Sequence, residues 1–112
     1  MKILTMCQGG QVRSVGLKYR LTYHHGHEVL ACGWESNSTE TIEMLCKWAD
    51  VIIIMQPQFE KYIPISHHTN DKGERKLFCY DVGEDRFGSA FHSDLQNILE
   101  TMIQKHKLFL KK

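Results

Sequence analysis

Apolar and polar positions change their period several times along this chain, and each change marks an expected element. Residues 1–6 read as a short apolar strand followed by a glycine-containing turn. A helix is expected from Arg13 or Ser14 to the His24-His25-Gly26 stretch, with Gly26 as its stop. Residues 28–32 form a second short strand, closed by Gly33. Asn37 followed by Glu40 resembles a capping arrangement, and Ile42, Leu45, Cys46 and Ala49 then fall at helical spacing. Residues 51–55 are apolar without alternation, the pattern of a strand covered on both faces. Residues 57–62 suggest a short helix, 64–75 a polar surface loop, and 76–80 a fourth strand ending at Asp81. Phe91, Leu95, Ile98, Leu99 and Met102 trace a last helical stripe from about Ser89 onward.

Strand and helix thus alternate, which predicts an α/β fold: one three-layer domain, residues 1–112, with a four-stranded parallel sheet of flavodoxin-like topology. Right-handed crossovers put helices on both faces. Ligands of such sheets bind beyond the carboxyl ends of the strands. Cys7, Gly33, Met55 and Asp81 follow the four strands on that single edge.

Composition narrows the function. A formal charge of +1, from 14 basic and 13 acidic residues, gives no electrostatic reason to expect nucleic acid or an acidic membrane as partner. Lys105, Lys107, Lys111 and Lys112 cluster where a helix dipole favours cations. No apolar run approaches the roughly 20 residues of a membrane span, and polar residues interrupt the start. A cytoplasmic protein is expected. Cys7, Cys32, Cys46 and Cys79 are scattered without a Cys-x-x-Cys pair. That spacing argues against a disulfide framework and against structural zinc, leaving a thiol free for chemistry. His24, His25 and His27 read as a solvated turn, and His67 and His68 likewise, so neither a metal nor a cofactor is expected.

The sharpest pattern is Cys7-Gln8-Gly9-Gly10-Gln11-Val12-Arg13-Ser14. A loop of this length between a strand and a helix can turn its backbone N–H groups onto one point. Together with the helix N-terminus they bind a tetrahedral dianion. Gly9 and Gly10 allow positive φ and close approach of the backbone. Arg13 can fork two oxygens of the same phosphate. Cys7 would point at phosphorus, and the same positive surroundings favour the thiolate, the attacking form. Ser14 can donate to that sulfur and help it leave. Gln8, Gly9, Gly10, Gln11, Val12 and Ser14 are therefore expected to bind substrate.

A phosphate ester also needs a proton for its leaving group. Asp81, Glu84 and Asp85 lie just past the fourth strand, on the required edge. Asp81 ends the strand and is expected to orient the turn. Asp85 is the expected general acid, and Glu84 the alternative.

These residues resemble the low-molecular-weight protein tyrosine phosphatase superfamily over nearly the whole chain. The resemblance rests on the strand, the Cys-x5-Arg-Ser loop, the Trp48-Ala49-Asp50 approach to the third strand and the acidic loop before the last helix. Asp85-Arg86-Phe87 looks like the family's Asp-Pro-Tyr element, which implies Asp85 as acid and Phe87 as one wall of the substrate cleft. Trp34 stands where the family places the other wall. Two aromatic walls favour a flat phosphorylated ring, so the implied substrate is a phosphorylated protein, through phosphotyrosine, or a small aryl phosphate. The chain departs from the family at Val12, where many members carry a second cysteine, and at Gly10, which replaces a loop asparagine. Arg86 also replaces the usual proline.

Three other chemistries use similar loops. A sugar-transport phosphocarrier of the IIB type also phosphorylates a cysteine after the first strand, but needs neither Arg13 nor an acidic loop. Arsenate reductase requires a resolving cysteine able to reach Cys7, and neither Cys32 nor Cys79 sits in an obvious redox segment. A non-catalytic phosphate-binding module could have lost Cys7 or Asp85, and this chain keeps both.

Overall fold

The computed structural model of the protein describes residues 1–84 and 86–106. Its elements run β1 (Lys2–Cys7), α1 (Arg13–Tyr23), β2 (Glu28–Gly33), α2 (Thr39–Trp48), β3 (Val51–Ile54), β4 (Leu77–Cys79) and α3 (Ser93–His106). Two 3₁₀ segments, Pro57–Tyr62 and Ile65–His67, lie between β3 and β4. The strands pair in parallel in the order β2-β1-β3-β4. Ile3, Leu4 and Met6 of β1 and all four residues of β3 are buried, as central strands between helix layers require.

This order fixes where the helices go. The crossover from β1 to β2 moves one way along the sheet, and that from β2 to β3 moves back past β1. With both right-handed, α1 and α2 occupy opposite faces. α1 packs on β1, β2 and α3, whereas α2 packs on β1 from the other side. The register places Cys7 level with Gly33 and brings Met6 beside Ile54. The loops after β1, β2 and β3 therefore converge at one edge.

Gln96 ties the last helix to the first. Its buried amide nitrogen donates to the carbonyls of Gly16 and Ala90, and its oxygen accepts from Arg20 Nε. Gly16 is needed there, because a Cβ would lie 2.8 Å from the Ala90 oxygen. The segment before α3 is thereby pulled across the start of α1.

Several expected boundaries move. The cap of α2 is Ser38, whose Oγ accepts from Thr41 N, rather than Asn37. Asn37 turns inward, and its Oδ1 accepts from Gly33 N at 3.0 Å. α3 begins at Ser93, after a turn in which His92 N donates to Ser89 O. Phe91 precedes the helix and is 61% exposed, with its ring edge-on to Tyr19. His27, expected in a solvated turn, is buried and within 3.4 Å of the N-terminal amine through Nδ1. His25 pairs with Glu100 and His67 with Glu43. Lys107, Lys111 and Lys112 lie outside the described residues. Among those described, no helix is long and apolar enough to cross a membrane.

Candidate active site

Cys7 ends β1 and is buried. Its Sγ lies 3.1 Å from Ser14 Oγ and accepts from Gly10 N at 3.2 Å. Thr5, one register position back on the same face of β1, donates its hydroxyl to the Ser14 carbonyl at 2.9 Å. The strand thus pins the first turn of α1 so that Ser14 faces the sulfur.

The loop's carbonyls point away from its centre. Cys7 O accepts from Trp34 N, Gln8 O from Glu35 N, and Gly9 O from Ser36 Oγ. In a trans peptide the N–H of the next residue points opposite to each carbonyl. The amides of Gln8, Gly9 and Gly10 therefore face inward, as the Gly10 bond to Sγ already demonstrates. α1 adds its own N-terminus, with no acidic residue in its first turn and no side-chain cap at Val12. Such a terminus leaves N–H donors for an anion.

This curl depends on two glycines in contact. Gly10 has φ +73° and lies against the backbone of Cys32 and Gly33. A Cβ on Gly33 would come within 2.4 Å of Gly9 C and 2.5 Å of Gly10 N. The loop after β2 takes over the bracing that a longer side chain at position 10 would supply, through Trp34, Glu35 and Ser36. Gln8 joins the same loop through Nε2, which donates to Glu35 Oε2 at 2.9 Å. Gln11 is exposed and Val12 half-buried against the core.

Arg13 is 1% exposed. Its Nη1 donates to Gln56 Oε1 and, at 2.9 Å, to Gly83 O. Phe59 covers one face of the guanidinium, with Cζ 5.5 Å from the ring centre. Nε, which shares an edge with Nη2, is buried without a hydrogen-bond partner among the described residues. A buried donor left unpaired costs free energy, about 1–3 kcal/mol, and an incoming oxyanion removes that cost.

The cleft above Arg13 encloses about 460 Å³ and is lined by Gln8, Trp34, Gln56, Phe59, Tyr62 and Glu84, among others. Trp34 and Tyr62 stack with centroids 4.3 Å apart and planes 4° from parallel. Trp34 Nε1 is a second buried donor without a partner among the described residues. Trp34 therefore stands in the cleft where the sequence expected a wall. Phe87 does not line this cleft: it is buried beside His92 and Arg86 in a separate depression. Its turn is drawn toward α3, and the aromatic surface facing Trp34 comes instead from Phe59 and Tyr62. Pro57–Tyr62 follows β3 directly on the ligand edge, and that position was the available signal for both rings.

Glu84 is exposed and borders the cleft. Asp85, the expected acid, lies outside the described residues. Asp81 orients the turn, since its Oδ1 accepts from Gly83 N at 3.0 Å. That turn presents the Gly83 carbonyl to Arg13.

The other thiols are poorly suited to attack. Burial, with Cys46 and Cys7 nearby, pushes Cys32 up to about 12. Burial likewise takes Cys46 and Cys79 to about 11. Thiolates are the reactive form in sulfur exchange, so these three are resting thiols at neutral pH. All four cysteines are free. Among the described residues, no group of three or more His, Cys, Asp or Glu side chains is placed to hold a metal ion.

No protein-family model and no curated protein sequence matches this chain. Solved structures do. The tyrosine phosphatase AmsI of Erwinia amylovora superposes with a TM-score of 0.67 at 14% identity, covering 99% of this chain and 93% of its own. Vibrio vulnificus Wzb, solved with benzylphosphonate, gives 0.65 at 13% identity, over 93% and 97% of the two chains. The arginine phosphatase YwlE of Geobacillus stearothermophilus gives 0.61 at 17% identity, over 95% and 92%. The fold is that of the low-molecular-weight protein tyrosine phosphatases. Within that fold, Cys7, Arg13 and Ser14 sit where β1 passes into α1, and the Trp34, Phe59 and Tyr62 rings line the cleft that Arg13 borders.

Proposed function

We propose that this protein is a cysteine-dependent phosphatase that hydrolyses an aryl phosphate monoester, phosphotyrosine in a protein or a small aryl ester, through a phosphocysteine at Cys7. One observation carries the reading. The loop between Cys7 and Arg13 turns its amides inward, with Gly10 N already donating to the Cys7 sulfur, and ends on a buried arginine whose Nε has no partner among the described residues. A phosphoryl group offers several acceptor oxygens to these donors.

The chemistry then runs in two steps. Cys7 Sγ attacks phosphorus, forming an S–P bond as the bond from phosphorus to the aryl oxygen breaks. Glu84 or Asp85 gives that oxygen its proton. The loop amides and Arg13 hold the equatorial oxygens as charge spreads over them. In the second step the carboxylate takes a proton from water, which attacks phosphorus and breaks the S–P bond. Ser14, 3.1 Å from the sulfur, donates to the departing thiolate. Inorganic phosphate leaves, and the carboxyl is again protonated.

The aromatic cleft supports the aryl preference. Trp34 and Tyr62 cover each other on one face, so an aryl ring would pack on an outer face of the stacked pair rather than in a slot between them. Because both tyrosine and arginine phosphatases share this fold, phosphoarginine is the competing substrate. The test is metal-free hydrolysis of p-nitrophenyl phosphate near pH 6 by wild type and Cys7→Ser. Turnover lost in the variant supports the reading, while a folded wild type without turnover removes it. A higher kcat/KM for phosphoarginine than for phosphotyrosine peptides would replace the aryl substrate and keep the mechanism.

A further inference from the structure

Gln56 is a half-buried amide at the end of β3, held extended ahead of Pro57 at the start of the 3₁₀ segment. Its Oε1 accepts from Arg13 Nη1. Nη1 carries two protons, and the second goes to the Gly83 carbonyl. Both protons of that nitrogen are thus committed to loops that follow β3 and β4. The Phe59 ring, from the same segment as Gln56, closes one face of the guanidinium. The edge left for a ligand is the one bearing Nε, which is buried and unpartnered among the described residues.

We infer that Gln56 is a positioning residue that selects the Nε–Nη2 edge of Arg13 for the phosphoryl group. This rests on the phosphatase reading above. A guanidinium presents bidentate donors along more than one edge, and a rotation about its long stem exchanges them. Gln56 and Gly83 O occupy Nη1 and stop that rotation. The amide also does this without charge. A carboxylate at position 56 would hold Arg13 as well or better, but would neutralise it and repel an incoming dianion. The neutral acceptor therefore keeps the cation fully available to substrate.

The connection to Gly83 extends the role to the acidic loop. Glu84 follows Gly83 directly and borders the same cleft. Arg13 thus ties the phosphate loop to the turn that carries the proton donor, and Gln56 holds Arg13 in the pose that makes this tie.

The test measures inorganic phosphate binding by calorimetry in a Cys7→Ser background, independently of turnover, together with kcat and KM for p-nitrophenyl phosphate. Gln56→Met keeps the volume and removes the acceptor. It should weaken phosphate binding about tenfold, as loss of one hydrogen bond to a charged group predicts. Gln56→Glu should weaken it too, with a loss that shrinks in high salt. In an Arg13→Ala background, Gln56→Met should add nothing, because its effect passes through the arginine. Unchanged phosphate affinity in a folded Gln56→Met protein, or equal losses with and without Arg13, would overturn the inference. If Gln56→Met does not fold, Gln56→Glu with the same Arg13→Ala cycle decides it. A Cys7→Ser protein with Gln56 intact that binds no phosphate overturns the phosphatase reading itself, a distinct outcome.

Discussion

Gly10 and Gly33 meet backbone to backbone, with no room for a Cβ on either. The first belongs to the loop between β1 and α1 and the second ends the neighbouring strand, level with Cys7. Their contact lets the loop curl tightly enough to point its amides inward. Gly33→Ala would place a methyl 2.4 Å from Gly9 C, so the loop must open. The expected loss is about 1–3 kcal/mol of stability, the usual range for overpacking, and at least tenfold in kcat/KM. Thermal melting and p-nitrophenyl phosphate kinetics check both. A variant that melts lower but keeps its kcat/KM would show that the curl does not matter to the chemistry.

Arg13→Lys keeps the charge and loses the planar fork. A single ammonium cannot satisfy Gln56, Gly83 O and two phosphate oxygens together. Activity should fall by about 10²-fold or more, in line with loss of a transition-state donor. Steady-state kinetics are the measure, and retention of most of the activity would deny the fork.

The proton donor is assigned by leaving group. Asp85→Asn and Glu84→Gln should each be compared on phenyl phosphate and on p-nitrophenyl phosphate. Removing the true donor slows the poorer leaving group far more, by about 10²–10⁴-fold. Glu84 borders the cleft, so a selective loss in Glu84→Gln alone would assign the role to it. A variant that slows both substrates equally is not the donor.

Much of this architecture was legible because parallel β/α alternation leaves few topologies, and the unbroken apolar run at 51–55 could only be a central strand. The loop between β1 and α1 was legible because its residues are local: Cys7, two glycines and Arg13 lie within one turn of chain. The rest of the cleft depends on contacts distant in sequence. Gln56, Phe59 and Tyr62 meet Arg13 and Trp34 only after β3 has been laid beside β1, and their place just after β3 is the one local sign of it. Phe87 was misplaced for the same reason, because the pull of α3 on residues 86–92, through Gln96, appears only in the packed structure. Ser38 displaced Asn37 as cap because Asn37 was engaged by Gly33, four residues earlier, so two local signals competed for one side chain.

Glu100 predicts a pH dependence of stability. It accepts from Gln104, His25 and Arg20, and these bonds outweigh its partial burial to hold it at about 2, below its ordinary 4.5. A carboxyl depressed in the folded state adds stability that is complete above about 4.5 and is lost as pH falls toward 2. The group is partly solvated, so the contribution is about 1 kcal/mol. Glu100→Gln should lower the melting temperature at pH 7 and have a much smaller effect near pH 2, where the folded-state carboxyl is half protonated. Equal destabilisation at both pH values would point to packing rather than charge.

The most direct measurement is a rapid denaturing quench of the protein during turnover of p-nitrophenyl phosphate, followed by mass spectrometry of the peptide containing Cys7. The mechanism predicts a phosphoryl adduct on Cys7, absent from Cys7→Ser and accumulating when Ser14→Ala slows the second step. Sustained turnover in wild type and Cys7→Ser alike, with no adduct at residue 7, would contradict it.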